Sequence, residues 1–267
     1  MQTLDYTLNV GGRLLSLDVP RVMGILNLTP DSFYAASRSQ TEADVRRRAR
    51  QIVDEGGSSI DVGACSTRPG STAATEEEEA ERLRQGLKWV RREVPDAVLS
   101  VDTFRASVAK MCVEEFGAAI VNDVSGGEAD PEMYPTVARL GVPYVLTFPR
   151  ANGIHTYLAE RVQQLRDLGQ KDIVLDPGFG FGKDVADNYR LLSSLETLKV
   201  LGLPLLIGVS RKRMVWQLLG TSPEEALNGT TVVHTLCLVK GCAQLLRVHD
   251  VREAVEAVKI THEFLSF

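Results

Sequence analysis

The sequence predicts one (β/α)8 barrel, and three observations carry that expectation. Eight short apolar runs recur along 267 residues, each ending in polar side chains, and they alternate with stretches whose apolar residues fall at three-to-four spacing. No linker or break in composition divides them, and the length suits a single α/β barrel. The turn after the first run reads N-L-T-P-D-S-F (27–33), without the Gly-rich phosphate fingerprint that a doubly wound sheet usually carries there.

The elements follow in order. Residues 6–19 alternate apolar and polar around Gly11-Gly12, a hairpin signal, so residues 1–20 are read as a plug at the barrel bottom and 21–267 as the barrel. The predicted strands are 22–28, 58–63, 98–102, 119–123, 143–148, 173–176, 205–210 and 243–250. Helical stretches include 41–55, 75–93, 105–116, 153–168, 184–198, 228–241 and 251–264. The acids Glu76–Glu79 open one of these behind Thr75, where they complement the helix dipole as a solvated face.

With 44% hydrophobic and 24% charged residues, the chain can build a large core. A net charge of −5 gives no electrostatic case for nucleic acid or an anionic membrane. Cys65, Cys112, Cys237 and Cys242 lack C-x-x-C spacing and read as free, reduced thiols, with Cys65 a small filler. No apolar run approaches membrane-spanning length and no signal peptide is recognisable, so a cytoplasmic location is expected.

In a barrel of this kind the C-terminal strand ends form the active face. Those ends carry Asn27, Asp61, Asp102, Asn122, Asp176, Lys212, Arg247 and His249. Asp102, Asn122 and Asp176 form an inner set of acceptors suited to a planar heterocycle rich in N–H donors, such as a 2-amino-4-oxo pyrimidine ring. Buried carboxylates need such donors, or a cation such as Lys212. The competing role is structural: core acids paired with Lys212 or Arg247, with Asp61 the most easily explained that way. The outer set is Ser66-Thr67-Arg68-Pro69-Gly70 with Asn27, Arg247 and His249. Its arginine forks and hydroxyls suit phosphate oxygens, and Asn27 offers an oxygen to Mg²⁺. His155, His234 and His262 are read as structural. The run Pro177–Asp184 is no Walker loop, since it opens on Pro177 and has Asp184 where Ser or Thr is needed.

Eight motifs in order carry a family resemblance. They are M-G-I-L-N-L-T-P-D-S-F (23–33), D-V-G-x-x-S-T-R-P-G (61–70), S-V-D-T (100–103) and N-D-V-S-G-G (122–127). L-D-P-G-F-G-F-G-K (175–183), G-V-S-R-K (208–212), N-G-T (228–230) and L-R-V-H-D-V (246–251) complete the set. The chain resembles the dihydropteroate synthases from about Val22 to Ile260. The resemblance implies condensation of 6-hydroxymethyl-7,8-dihydropterin diphosphate with p-aminobenzoate, assisted by Mg²⁺, in a homodimer of a sulfonamide-target family. It assigns the pterin to Asp102, Asn122, Asp176 and Lys212, and the diphosphate to Asn27, Thr67, Arg68, Arg247 and His249. Aminobenzoate falls to Phe33, Thr67, Pro69, Phe181 and the Ser210-Arg211-Lys212 turn. Asp102, Asp176, Lys212 and Arg68 are the catalytic candidates, and loops 29–38 and 64–74 would close over the site.

Departures from the family pattern are Thr147-Phe148-Pro149 for a Met-His-Met type strand end, a shortened segment at Arg150–Gly153, Arg213 for a small serine, and Cys65. The first is expected to strip methionine packing from the pterin wall, and Arg213 to crowd the aminobenzoate carboxylate. Two alternatives stand beside this reading: a methyltetrahydrofolate–corrinoid methyltransferase type of barrel, and a pterin-binding paralogue with impaired catalysis. The apolar stripe Val232, Val233, Leu236, Leu238 and Val239 fits a dimer face or core burial equally well.

Overall fold

The computed structural model describes residues 6–29, 41–65 and 74–267. Strands β1 (Thr7–Val10) and β2 (Arg13–Ser16) form an antiparallel hairpin. The barrel strands are β3 (Arg21–Asn27), β4 (Ser59–Gly63), β5 (Leu99–Asp102), β6 (Ile120–Asp123), β7 (Tyr144–Thr147), β8 (Ile173–Asp176), β9 (Leu206–Ile207) and β10 (Leu245–Val248). They pair in parallel in the order β8-β7-β6-β5-β4-β3-β10-β9. A bridge between Leu175 and Leu205, with Leu175 N donating to Pro204 O at 2.9 Å, joins β8 to β9 and closes the ring.

Alternation along these strands sorts the interior by height. Met23, Ile120, Val145, Val174, Leu206 and Leu245 form an apolar bottom layer, against which hairpin residues Leu8 and Val10 and the following Leu17 pack. Two residues further up the same strands stand Ile25, Asn122, Thr147, Asp176, Gly208 and Arg247. One period of the pleat therefore separates the greasy floor from the polar level above it. A second, larger core lies between the sheet and the helices.

The helices are α1 (Glu42–Asp54), α2 (Glu76–Glu93), α3 (Ala106–Phe116), α4 (Met133–Leu140), α5 (Ile154–Asp167), α6 (Val185–Ser194), α7 (Arg213–Leu219), α8 (Leu227–Val239) and α9 (Val251–Leu265). Capping boxes start two of them, Thr75 with Glu78 on α2 and Asp184 with Asp187 on α6. Helices α4 and α7 are absent from the sequence reading. They are only eight and seven residues long, too short for a clear periodic signal, and Pro135 in the first turn of α4 disguises it further. The predicted 184–198 helix is α6 followed by a 3₁₀ stretch, Leu195–Leu201. The predicted strand 205–210 pairs only over Leu206–Ile207. Beyond it the chain turns, with Lys212 N donating to Val209 O at 3.1 Å.

Two expectations about individual side chains change. Glu79 is fully buried and paired with Arg105, so only the earlier acids of α2 form a solvated face. Val233 and Leu238 are buried while Val232, Leu236 and Val239 are exposed, so the α8 stripe divides between core and surface. The shortened segment after β7 still lets α5 return, and β7 and β8 pair in full register from Tyr144↔Ile173 to Thr147↔Asp176. Cys112, Cys237 and Cys242 are buried and Cys65 is half-buried, all as free thiols. Among the described residues no helix is long and apolar enough to cross a membrane.

His234 is buried in α8, and its Nε2 has no hydrogen-bond partner. Burial lowers its pKa from 6.5 to about 4. An unfolded chain therefore takes up a proton below pH 6.5 that the folded chain refuses, and this contribution to stability is lost as pH falls toward 4. Denaturant unfolding should show stability declining across that window by about 3 kcal/mol at most from this residue. His234→Met should flatten the decline; an unchanged slope would refute the assignment.

Candidate active site

The polar level of the barrel opens upward into a cavity of about 520 Å³ at the C-terminal strand ends. Its deepest feature is a buried charge cluster. Arg247 of β10 donates from Nε to Asp61 Oδ2 of β4 and from Nη2 to Asp102 Oδ2 of β5, both at 2.6 Å. Asn122 of β6 donates from Nδ2 to the same Asp61 oxygen at 3.0 Å. Asp61 does not line the cavity and orients its neighbours from behind. Sequence reading put Arg247 with the outer, phosphate-facing set; the structure seats its guanidinium among the inner acids. Burial raises the pKa of Asp102 against the pull of Arg247, whereas burial lowers that of Arg247 and the two aspartates raise it overall.

Asp176 and Lys212 face each other across glycine. Lys212 Nζ and Asp176 Oδ2 lie 3.8 and 3.9 Å from where a Gly208 Cβ would stand, so this glycine leaves the gap between them open. Neither is satisfied by the other alone. Asp176 Oδ1 accepts from Gly178 N at 2.7 Å, and Lys212 Nζ donates to Phe179 O at 2.5 Å while sitting 4.8 Å above the Phe181 ring. Burial raises the Asp176 pKa and lowers that of Lys212 to about 8, the opposite charge resisting in each case.

The remaining described candidates, Asn27, Phe181, Ser210 and His249, also line the cavity. Ser210 Oγ accepts from His249 N at 3.1 Å, and Arg48 Nη2 donates to His249 O at 2.5 Å, fixing the end of β10. Burial and the nearby cations Arg247, Arg48, Arg211 and Lys212 lower the His249 pKa to about 3, so its imidazole is neutral. Phe33, Thr67, Arg68 and Pro69 lie outside the described residues.

Several neighbours depart from expectation. Arg211 was grouped with the aminobenzoate frame, but its guanidinium is buried against Asp250 at 2.8 and 2.9 Å and against the carbonyls of Pro223 and Glu224. Its backbone takes φ 52°, a left-handed turn that sets Ser210 and Lys212 on the cavity either side of it. Arg213 opens α7 exposed at the cavity lining, where its Nε donates to Gln217 Oε1 at 2.7 Å. Phe148 is buried edge-on to Tyr157 of α5, with ring centroids 5.2 Å apart. Both rings lie in the core between sheet and helices and neither lines the cavity.

Sequence reasoning missed Asp123, which accepts from Ser125 N, Gly127 N and the Tyr144 hydroxyl at 2.7 to 2.8 Å and so shapes the loop beside Asn122. The acid was visible in the N-D-V-S-G-G motif, but its pleat position points it away from the barrel interior. Lys183 was likewise visible only as the last letter of a motif.

Eight parallel strands with acids, an amide and cations gathered at their C-terminal ends define a barrel built to hold a polar, donor-rich small molecule. The chain belongs to the pterin binding enzymes, whose family model matches residues 23–249. Within that family it falls among the dihydropteroate synthases. It is 37% identical to the dihydropteroate synthase of Clostridium beijerinckii over 250 residues, covering 90% of this chain and 92% of that one. It is 36% identical to the Bacillus subtilis enzyme, covering 92% and 88%. The Yersinia pestis dihydropteroate synthase, solved with a sulfonamide drug, superposes with a TM-score of 0.91 at 33% identity, covering 98% and 100%. The Xanthomonas albilineans enzyme with 4-aminobenzoic acid gives 0.88 at 36%, covering 98% and 99%.

The Arg247 cluster makes a clear prediction. Arg247→Met would leave Asp61 buried without its cation and should cost about 3–5 kcal/mol in denaturant unfolding. The Asp61→Asn, Arg247→Met double variant should recover part of that loss, because the stranded charge is gone. A single variant within about 1 kcal/mol of wild type would show that the bridge carries little.

Proposed function

We propose that the chain condenses 6-hydroxymethyl-7,8-dihydropterin diphosphate with p-aminobenzoate to give dihydropteroate and diphosphate. The observation that carries this reading is the acceptor-rich floor of the cavity. Asn122 lines it and keeps a buried Oδ1 with no hydrogen-bond partner, while Asp102 and Asp176 present carboxylates on either side. A flat ring with several N–H donors satisfies such a floor, and leaving it unsatisfied is costly. Asp102, Asn122, Asp176 and Lys212 hold the pterin in this assignment. Asn27 and His249, with Thr67 and Arg68, hold the diphosphate end, and Arg247 adds to them only the Nη1 edge that its bonds to Asp61 and Asp102 leave over. Phe181, Ser210 and Lys212, with Phe33, Thr67 and Pro69, frame the aminobenzoate.

The reaction proceeds by departure before attack. The C–O bond to diphosphate breaks and the leaving group takes the electron pair, giving a pterin methyl cation. The carboxylates of Asp102 and Asp176 stand where that positive charge develops, and Arg247 and Arg68 stabilise the departing anion. The neutral arylamine nitrogen then forms the C–N bond and releases its proton to water. Closure over the cavity keeps water from capturing the cation first.

Among the described residues no cluster of three or more His, Cys, Asp or Glu side chains could hold a metal alone. Asn27, at the cavity wall, supplies one hard oxygen. That fits magnesium, which binds through one or two protein oxygens, retained waters and substrate phosphates. When bound there, it would neutralise charge on the leaving diphosphate.

Diphosphate release measured with and without p-aminobenzoate and Mg²⁺ tests the reading. Release that needs both, with dihydropteroate appearing, is expected. Asp176→Asn and Lys212→Met should each lower kcat/KM by about a hundredfold or more. Binding of the pterin without turnover would instead identify a binding paralogue.

A homodimer through the last helices is part of the same proposal. Val232, Leu236 and Val239 on α8 are about half exposed, and Ile260 and Phe264 on α9 more so. The two helices pack on each other, so these exposed apolar residues stand on neighbouring elements, which supports the pairing. Leu236→Asp should convert a dimer to a monomer in sedimentation velocity; a wild-type monomer would remove the proposal.

A further inference from the structure

The loop 177–183 joins the two residues that face each other in the cavity. Gly178 N donates to Asp176 Oδ1, Phe179 O accepts from Lys212 Nζ, and Phe181 offers its ring to the same ammonium. The loop cannot drift far on the Gly178 side. That residue has φ 72°, and a Cβ there would fall 1.9 Å from Phe148 O, so loop and β7 end are in direct backbone contact.

Lys183, itself on the cavity lining, holds this arrangement. Its Nζ donates to Gly178 O at 2.9 Å, Phe181 O at 3.1 Å and Phe148 O at 3.4 Å, using all three ammonium protons on carbonyls. The same ammonium lies 4.8 Å over the Phe148 ring. Two of its carbonyls belong to the loop and the third to the end of β7, so one side chain fixes the loop to the wall. Asn188 of α6 completes the hold by accepting from Gly180 N at 2.7 Å and donating to Asp184 O at 2.6 Å.

We infer that Lys183 is a positioning residue for the pterin pocket: by gathering the carbonyls of Phe148, Gly178 and Phe181 it sets the loop that aims Asp176 and Lys212 at the bound ring. The inference rests on the assignment of the cavity to a pterin. Phe148 gives it a feature specific to this chain, because the residue that departs from the family pattern supplies both a carbonyl and a ring face to the ammonium. Without the cation, three inward-turned carbonyls lose their donor, and the loop is expected to relax away from the wall.

The test compares Lys183→Met and Lys183→Gln with wild type. Dissociation constants for 6-hydroxymethyl-7,8-dihydropterin diphosphate are read by calorimetry, alongside thermal midpoints without ligand. The methionine variant should weaken binding by about tenfold or more, and glutamine, which keeps two N–H donors, by less. In turnover, KM for the pterin diphosphate should rise more than kcat falls. Folded variants that bind within about twofold of wild type would overturn the inference, whatever their thermal midpoints. If the methionine variant does not fold, the glutamine variant decides on the same criterion. A wild-type protein that binds the pterin but does not turn it over would defeat the proposed synthase activity while leaving the binding comparison intact.

Discussion

The structure depends on one electrostatic arrangement, the guanidinium of Arg247 shared between Asp61 and Asp102 inside a parallel barrel. Two carboxylates at the polar level of a closed sheet would repel each other and lose their hydration. A single planar cation with donors on two edges meets both, at 2.6 Å each. Lysine has no such fork. The arrangement also explains Asn122, whose amide donates to Asp61 and so presents its carbonyl oxygen without a protein partner. One buried bridge thereby fixes the orientation of an acid and an amide on adjacent strands.

The opposite wall uses backbone where the first uses charge. Asp176 is met by a glycine N–H and Lys212 by a phenylalanine carbonyl, both from the loop after β8. These partners belong to a loop rather than a strand, so their position must be enforced by something else. Lys183, Asn188 and the close approach of Gly178 to Phe148 supply that enforcement. The cavity is thus held by a salt bridge on one side and by a tethered loop on the other.

Much of this was legible in the sequence, for a reason rooted in the pleat. Apolar runs ending in Asp, Asn or Arg mark the height at which a barrel strand leaves its core, so Asp102, Asn122, Asp176 and Arg247 could be named without coordinates. What could not be read was which cation meets which acid. Either Lys212 or Arg247 could have paired with the core acids, and it is Arg247 that holds Asp61 and Asp102. Sequence gives the level of a side chain in a barrel but not its angular neighbours across the lumen. Glu79 failed for a related reason: its place in an acidic first turn suggested solvent, while helix phase turned it into the core against Arg105.

The same limit explains why Arg211 was misplaced and Lys183 overlooked. Both are cations whose work is on backbone carbonyls, and such contacts leave no pattern in residue type or spacing. Arg211 is bound to Pro223 and Glu224 carbonyls beside its Asp250 pair, and Lys183 to three carbonyls from two segments. In each case a charge, buried for Arg211 and half-buried for Lys183, holds a turn whose neighbours, Ser210 and Lys212 or Asp176 and Phe181, face the cavity. Motif letters at the cavity thus include cations that hold backbone carbonyls as well as lining the space.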